Sequence, residues 1–380
     1  MLGILAVNIA HFAWPMDLAL DPTLAPFDVG QGPDKIGQWL SDTFFADKAR
    51  PLFALLFGVS VYLVGGEIGD GDSRLGRRLR WLAAFGLIHG LLIWYGDILL
   101  LYALCGLVLA TMRSMAVRRL LLIGGGVTLA LALAQAALTL MIAALPPELQ
   151  AEMGDSGAMT SAADLQASLH AYRSGWGGVL MENAGTWLLV QGFSLVYAPA
   201  ILLLMMLGLG LFKSGWLLGR APTWTYAATA LCGGLFLAAL GWAGWIDQSN
   251  GPAPSAAGVV HETLKAFAPL ATLGYAAVII LAATRGPRLI AAILAPVGRM
   301  AFTNYLSQSL ILASLFYWPG GLHWMGQMGP AEWWRVVLAV WALQLLWSPL
   351  WLHFFRYGPF EWMWRSLVAG SPSPFRRRPA

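Results

Sequence analysis

The sequence predicts an all-α fold, a polytopic bundle of transmembrane helices, and three observations carry the prediction. Of the 380 residues, 58% are hydrophobic and only 11% charged, against about 45–50% and about 25% in a soluble domain. Mean hydropathy is +0.65. Uncharged apolar runs of about 20 residues recur along the chain, the length a helix needs to cross about 30 Å of hydrocarbon. A membrane β-barrel would show short segments of alternating polarity, and the long continuous runs argue against it.

About ten spans follow in order, at residues 2–20, 44–65, 81–95, 98–112, 120–145, 187–212, 224–246, 264–284, 297–318 and 333–355. The third and fourth are short and joined by only Gly96 and Asp97, so they read as a tight helical hairpin. Residues 1–380 form a single integral membrane domain in this reading, with outer loops at 21–43 and 146–183 and a basic tail at 356–380.

Lysine and arginine set the orientation, because cytoplasmic connections carry the excess. With the connection after the second span inside, and every second connection with it, sixteen basic residues lie inside and six outside. Acidic residues split the other way, four inside and fifteen outside. A wrong span count would scramble this alternation, so both chain ends are expected in the cytoplasm. Met1 opens the first span with no basic tail before it. A misassigned start codon or a lost leading segment is the expectation there.

The net charge of +4 does not point to nucleic acid, since the basic residues sit in short connections between apolar runs. Cys105 and Cys232 both lie inside apolar runs and give no disulfide framework and no metal spacing. No metal is expected. The first span lacks the basic start and small-residue site of a cleaved signal peptide. Walker, nucleophile-elbow and long cytosolic segments are absent too, which argues against an ATP-driven pump.

Polar side chains in hydrocarbon cost several kcal/mol each unless they face protein or water, so each is a candidate. Asn8 and His11 stand three apart in the first span, hence on one helix face, as a helix-to-helix hydrogen bond or a polar pocket. His89 lies midway along the third span within Gly86-Leu87-Ile88-His89-Gly90, as a satisfied packing residue or a proton-exchanging group. Flanking glycines let a neighbour come close. Asp97 opens the fourth span, where it can cap the helix and still face a cavity. Asp42, Asp47, Lys48 and Arg50 crowd the entrance to the second span before Pro51, as surface charge or the rim of an outward site.

The ninth span carries Arg299, Thr303 and Ser307 in one helical row and Asn304 and Gln308 in an adjacent one, so its polarity is expected mostly on one side. Arg299, near the cytoplasmic end, either snorkels or meets an anion such as phosphate. The 19 tryptophans, including Trp81, Trp94, Trp187, Trp318, Trp333 and Trp334, cluster near span ends and read as interfacial belts. Gly124 to Gly126 is no phosphate loop, because it lies inside an apolar run.

Four strings in order, Leu2-Gly3-Ile4-Leu5-Ala6-Val7-Asn8, Leu52-Phe53-Ala54-Leu55-Leu56-Phe57-Gly58, His89 with Tyr95-Gly96-Asp97-Ile98-Leu99, and Gly298-Arg299-Met300-Ala301-Phe302-Thr303-Asn304-Tyr305, resemble the YeiB-like bacterial membrane proteins, known as domain of unknown function 418. The closing Ser348-Pro349-Leu350-Trp351 and Gly358-Pro359-Phe360-Glu361-Trp362 fit the same pattern. The departure is the Asp-x-x-Arg-Gly-like element that such proteins carry before the first span, which is missing here. The family is similar to the transmembrane acyltransferases, which move an acyl group from cytosolic acyl-CoA to an acceptor across the membrane with an embedded histidine. The resemblance implies a bacterial cytoplasmic (inner) membrane location, acyl-CoA as co-substrate met by the inner arginines, and His89 or His11 as base. A small-molecule or glycan acceptor would enter past Asp97 and Arg50.

Two functions are therefore expected from the sequence: an acyltransferase with a histidine general base, or a proton-coupled secondary transporter of a small polar solute. Besides the lipid bilayer and the acceptor, a second copy of the chain, as a homodimer, is the partner expected. In the acyltransferase reading Asp47, Arg50, Asn8, Thr303, Asn304 and Gln308 line the substrate path and Arg299 meets the co-substrate; in the transporter reading the same His, Asp and Asn-Gln groups bind solute and protons; both need these groups to converge on one wet cleft.

Overall fold

The computed structural model describes residues 1–21, 24–25, 30–146, 148–150, 160–251 and 255–377. Parts of both expected outer loops, and Arg378 of the basic tail, lie outside the described residues. The helices are α1 (Leu2–Ala13), α2 (Met16–Leu20), α3 (Gly32–Phe44), α4 (Ala49–Gly65), α5 (Asp72–Leu92), α6 (Leu99–Met112), α7 (Val117–Ala143), α8 (Ala162–Arg173), α9 (Trp176–Lys213), α10 (Thr223–Asn250), α11 (Ala256–Lys265), α12 (Ala268–Arg285), α13 (Arg288–Arg299), α14 (Ala301–Phe316), α15 (Pro330–Phe354) and α16 (Pro359–Ala369). Among the described residues, β structure is limited to one isolated antiparallel bridge, Phe355 to Arg376.

Six helical stretches are long and apolar enough to cross a membrane: Gly32–Gly65, which joins α3 to α4, and α7, α9, α10, α12 and α15. Helices α1 and α6 are apolar but shorter. The other two segments expected as spans depart from the simple pattern for physical reasons. Arginines occupy the first half of α5, and α14 has 16 residues, which at about 1.5 Å per residue fall short of a full bilayer crossing.

The outer surface supports membrane residence. Leu129, Leu131, Leu133, Leu138 and Leu140 on α7 are all exposed, as are Leu188, Leu195 and Val196 on α9. Such a band on a water-soluble chain would aggregate. Inside, helices meet through small residues. A Cβ added at Gly58 would lie 2.0 Å from the Met205 carbonyl oxygen, and one at Gly208 would lie 2.1 Å from that of Leu55. Thus α4 and α9 touch backbone to backbone, the close approach that drives helix association where apolar burial gives no preference over lipid. Gly124 to Gly126 form part of a π-helical turn inside α7, with Gly124 against Leu207.

The tryptophan expectation needs correction. Trp94, Trp187 and Trp333 are buried, as are Trp14 and Trp364. Many indole N–H groups donate to backbone carbonyls between elements, as Trp14 does to Met328, Trp334 to Gly37 and Trp341 to Leu2. These indoles tie helix ends together, while Trp81, Trp176, Trp224, Trp242 and Trp245 are exposed, as the belt reading expects.

The connections sort into two groups. Arg113 pairs with Asp72 and donates to the Gly66 carbonyl, Lys213 reaches Glu67, and Trp364 donates to the Arg78 carbonyl. These all belong to the arginine-rich set. The other set meets itself: Asp34 accepts from the Ala331 amide, Lys35 donates to Ser249, and Thr160 donates to Asp17.

Candidate active site

The turn between α5 and α6 brings His89 and Asp97 together. His89 is one helical turn from the end of α5, and residues 93–98 reverse the chain so that Asp97 returns beside it. Nδ1 of His89 lies 3.0 Å from Oδ1 of Asp97, and the two residues are 1% and 3% exposed. The second oxygen of Asp97 accepts from the Leu100 amide at 3.0 Å, so the carboxylate caps α6 and holds the imidazole at once. An ionised carboxylate can only accept, so opposite an ionised Asp97 it is Nδ1 that carries the proton. Nε2 then faces Ser309 of α14, whose Oγ is 2.9 Å away. The Ser309 hydroxyl has a weaker alternative in the Tyr305 carbonyl at 3.4 Å.

Glycines permit this closeness. A Cβ at Gly86 would stand 2.4 Å from the Leu100 nitrogen and 2.9 Å from Oδ2 of Asp97, and one at Gly90 would stand 2.0 Å from Nε1 of Trp187. Aromatic rings enclose the imidazole: Tyr305 at 5.2 Å and Trp94 at 6.2 Å between centroids, with Phe12 of α1 stacked on Trp94 at 4.4 Å. The indole N–H of Trp94 is buried without a hydrogen-bond partner. On the other side of α5, Asn183 donates to the Gly90 and Leu91 carbonyls, while its own amide oxygen and Nε1 of Trp187 are also unpartnered. Buried polar groups are paired in the great majority of cases, so these unpartnered atoms on the two sides of α5 are exceptions among the described residues.

The remaining sequence candidates divide. The polar residues of α14 do not form one stripe but spread over three faces. Thr303 binds Glu361 of α16, which also accepts from the Phe302 amide at 2.7 Å and the Thr303 amide at 2.9 Å. Asn304 donates to the Val297 carbonyl at 3.1 Å and to Ser348 at 3.2 Å, and accepts from Trp347 at 3.0 Å. Gln308 donates to Gln344 of α15 at 2.9 Å. Only Ser309 and Tyr305, four apart on a third face, reach His89. The expectation failed because an i, i+4 row fixes neighbours on one helix and says nothing about which partner helix each row meets. Arg299 ends α13 with an exposed side chain.

Asn8 and His11 are half-buried on α1, and His11 lies in the field of Arg50. Its backbone carbonyl accepts from Tyr95, but its ring makes no hydrogen bond to the His89 group. Arg50 pairs with Asp47 at 3.7 Å, both well exposed. Asp47 adopts φ 58° in the turn between α3 and α4, and the adjacent Lys48 is buried, donating to the Asp42 carbonyl at 2.6 Å.

At the opposite end of α5 a cleft of 180 Å³ is lined by Arg74, Arg77, Arg78, Trp364, Arg365 and Ser373. Burial, then the positive charges of Arg365 and Arg74, push Arg78 below the ordinary guanidinium range, to about 10. At about 1.5 Å per residue, Arg78 and His89 stand ~17 Å apart along the helix. The sequence does not single out Ser309 or Tyr305 as site residues, and it marks these arginines only collectively, through the resemblance, as inner arginines expected to meet acyl-CoA. The i, i+3, i+4 spacing of Arg74, Arg77 and Arg78 was the available signal.

Relatives extend over nearly the whole chain. A family model described as "Protein of unknown function (DUF418)" matches residues 211–371. Uncharacterized protein YeiB of Escherichia coli (strain K12) is 32% identical, covering 98% of this chain and 94% of its own. Uncharacterized protein YxaH of Bacillus subtilis (strain 168) is 31% identical, covering 99% and 93%. No solved structure matches the chain. Aligned with two such relatives almost end to end, the chain belongs to the YeiB-like family of proteins of unknown function, DUF418.

Proposed function

We propose that the chain is a membrane-embedded acyltransferase that moves an acyl group from cytosolic acyl-CoA to a small-molecule or glycan acceptor at the outer face. The observation that carries this reading is the buried series Asp97 to His89 to Ser309. In the neutral ring, donation from Nδ1 to Asp97 leaves the Nε2 lone pair directed at a hydroxyl oxygen, the geometry by which a histidine takes a proton from an attacking oxygen. Ser309 Oγ marks where the acceptor hydroxyl stands during attack on the thioester. Asp97 stabilises the imidazolium that forms, and the proton then passes from Nε2 to the departing thiolate. Proton transfer of this kind contributes roughly 10²- to 10⁴-fold.

The frame for this chemistry is a ten-span bundle in the bacterial cytoplasmic membrane, with both chain ends and the arginine cleft on the cytoplasmic side. The basic and acidic residues divide between connections in the sense that orientation requires. Asn8, His11, Asp47 and Arg50 then belong to the outward route of the acceptor.

One observation also favours a second reading. A carboxylate and an imidazole buried together inside a bundle are the components of a proton relay in a transporter. Protein purified into nanodiscs and given radiolabelled acetyl-CoA separates the two. Acyl transfer or thioester loss that disappears in His89→Ala supports the enzyme. Proton-driven solute uptake in liposomes, without thioester loss from any acyl-CoA, supports the transporter.

A further inference from the structure

The arginine-rich end of α5 borders a cleft that the His89 group does not reach. Arg74, Arg77 and Arg78 share one helix face, and Arg365 approaches from α16. They line a 180 Å³ cleft, and a second cavity of 320 Å³ shares Arg74, Arg78 and Arg365 with it and is bordered also by Ser60, Leu63 and Val64 of α4. Among the described residues, none of the four arginines forms an ion pair with a carboxylate. Like charges at three- and four-residue spacing repel, so this convergence opposes folding unless an anion relieves it. The bias toward positive charge in cytoplasmic connections accounts for arginines here. It does not account for four of them closing on one cleft.

Their guanidinium groups are held in position by groups other than acids. Arg78 stacks 4.1 Å above Trp364, whose indole N–H donates to the Arg78 carbonyl at 3.1 Å. Arg77 donates from Nε to the Val368 carbonyl at 3.0 Å, and Arg365 lies 4.4 Å over the ring of Tyr357. Stacking and a single carbonyl leave most guanidinium N–H donors uncommitted. Planar forks of this kind bind phosphate oxygens in pairs.

We infer that the cleft between α4, α5 and α16 is a phosphate-binding site for a multiply charged phosphate group. Two sources share that chemistry: the nucleotide end of a soluble donor, or the headgroup of an anionic phospholipid at the membrane surface. In the first case the site deepens the acyl-transfer reading, giving the donor an anchor from which its thioester reaches toward His89. Binding measured without turnover keeps the fate of the two ideas separate.

The full chain in nanodiscs of zwitterionic lipid is titrated with adenosine 3′,5′-bisphosphate, and in parallel nanodiscs containing phosphatidic acid are assayed for lipid retention by native mass spectrometry. Arg74→Gln and Arg365→Gln, at exposed positions, report on the cleft; Arg118→Gln with Arg119→Gln, outside it, controls for general charge. Saturable bisphosphate binding weakened at least tenfold by the cleft substitutions and not by the control supports a soluble phosphate. Retention of phosphatidic acid with the same dependence supports a lipid headgroup. Binding of neither probe by the unaltered protein, or equal losses in cleft and control variants, overturns the inference.

Discussion

His89 and Asp97 close on each other across the turn that ends α5, with Nδ1 3.0 Å from a carboxylate oxygen and neither side chain open to solvent. Seven residues of chain lie between them. One capping interaction therefore does two jobs, because the carboxylate that starts α6 also fixes which imidazole nitrogen is left to accept a proton.

Replacing Asp97 by asparagine keeps the size and removes the charge. The amide can present its NH₂ to Nδ1, favouring the other tautomer, and Nε2 then donates to Ser309 instead of accepting. Acyl transfer should fall by roughly 10²- to 10⁴-fold while the protein remains folded. Steady-state rates alongside a thermal unfolding curve check both halves.

Ser309→Ala distinguishes two roles for the hydroxyl. If Ser309 marks the acceptor's position, the acceptor supplies its own hydroxyl, and transfer should stay within about tenfold of the unaltered rate. A fall as deep as that of His89→Ala, together with loss of acyl-CoA to CoA exchange in the absence of acceptor, would instead make Ser309 a covalent carrier.

Asn304 was a substrate-binding candidate from its position, and its hydrogen bonds now assign it to the contact with α13 and α15. Asn304→Leu strands the Trp347 N–H and the Ser348 hydroxyl in a buried setting. A loss of about 2–4 kcal/mol is expected, with the rate per folded molecule unchanged. Unfolding in detergent and activity corrected for folded fraction measure the two effects.

Gly208→Val tests the α4 to α9 contact. Its Cβ would overlap the Leu55 backbone at 2.1 Å, so the helices must separate. A penalty of about 1–3 kcal/mol follows, and it should appear as a lower midpoint of thermal unfolding.

The membrane-embedded helical class was legible because hydrophobic runs report burial directly, whatever the packing. His89 and Asp97 were both visible as polar exceptions. Their pairing was not, because it depends on how residues 93–98 turn. Ser309 shows a further limit: a serine inside a helix is common, and only the approach of α5 to one particular face of α14 sets it apart from Ser307 two residues earlier. The buried tryptophans show the same limit, since nearness to a span end fits lipid contact and helix packing equally well. Arg74, Arg77 and Arg78 carry nothing in the sequence that separates them from the other arginines of the connections, because Trp364 and Arg365, which complete their cleft, come from the far end of the chain.

The most direct measurement is single-turnover loss of acetyl-CoA thioester, with an acceptor mixture present, by nanodisc-embedded protein and by His89→Gln of matched folded content. Acyl transfer through His89 predicts consumption by the unaltered protein and a drop of at least roughly 100-fold in the variant. Equal consumption by both, or none by either across a series of acyl chain lengths, would contradict it.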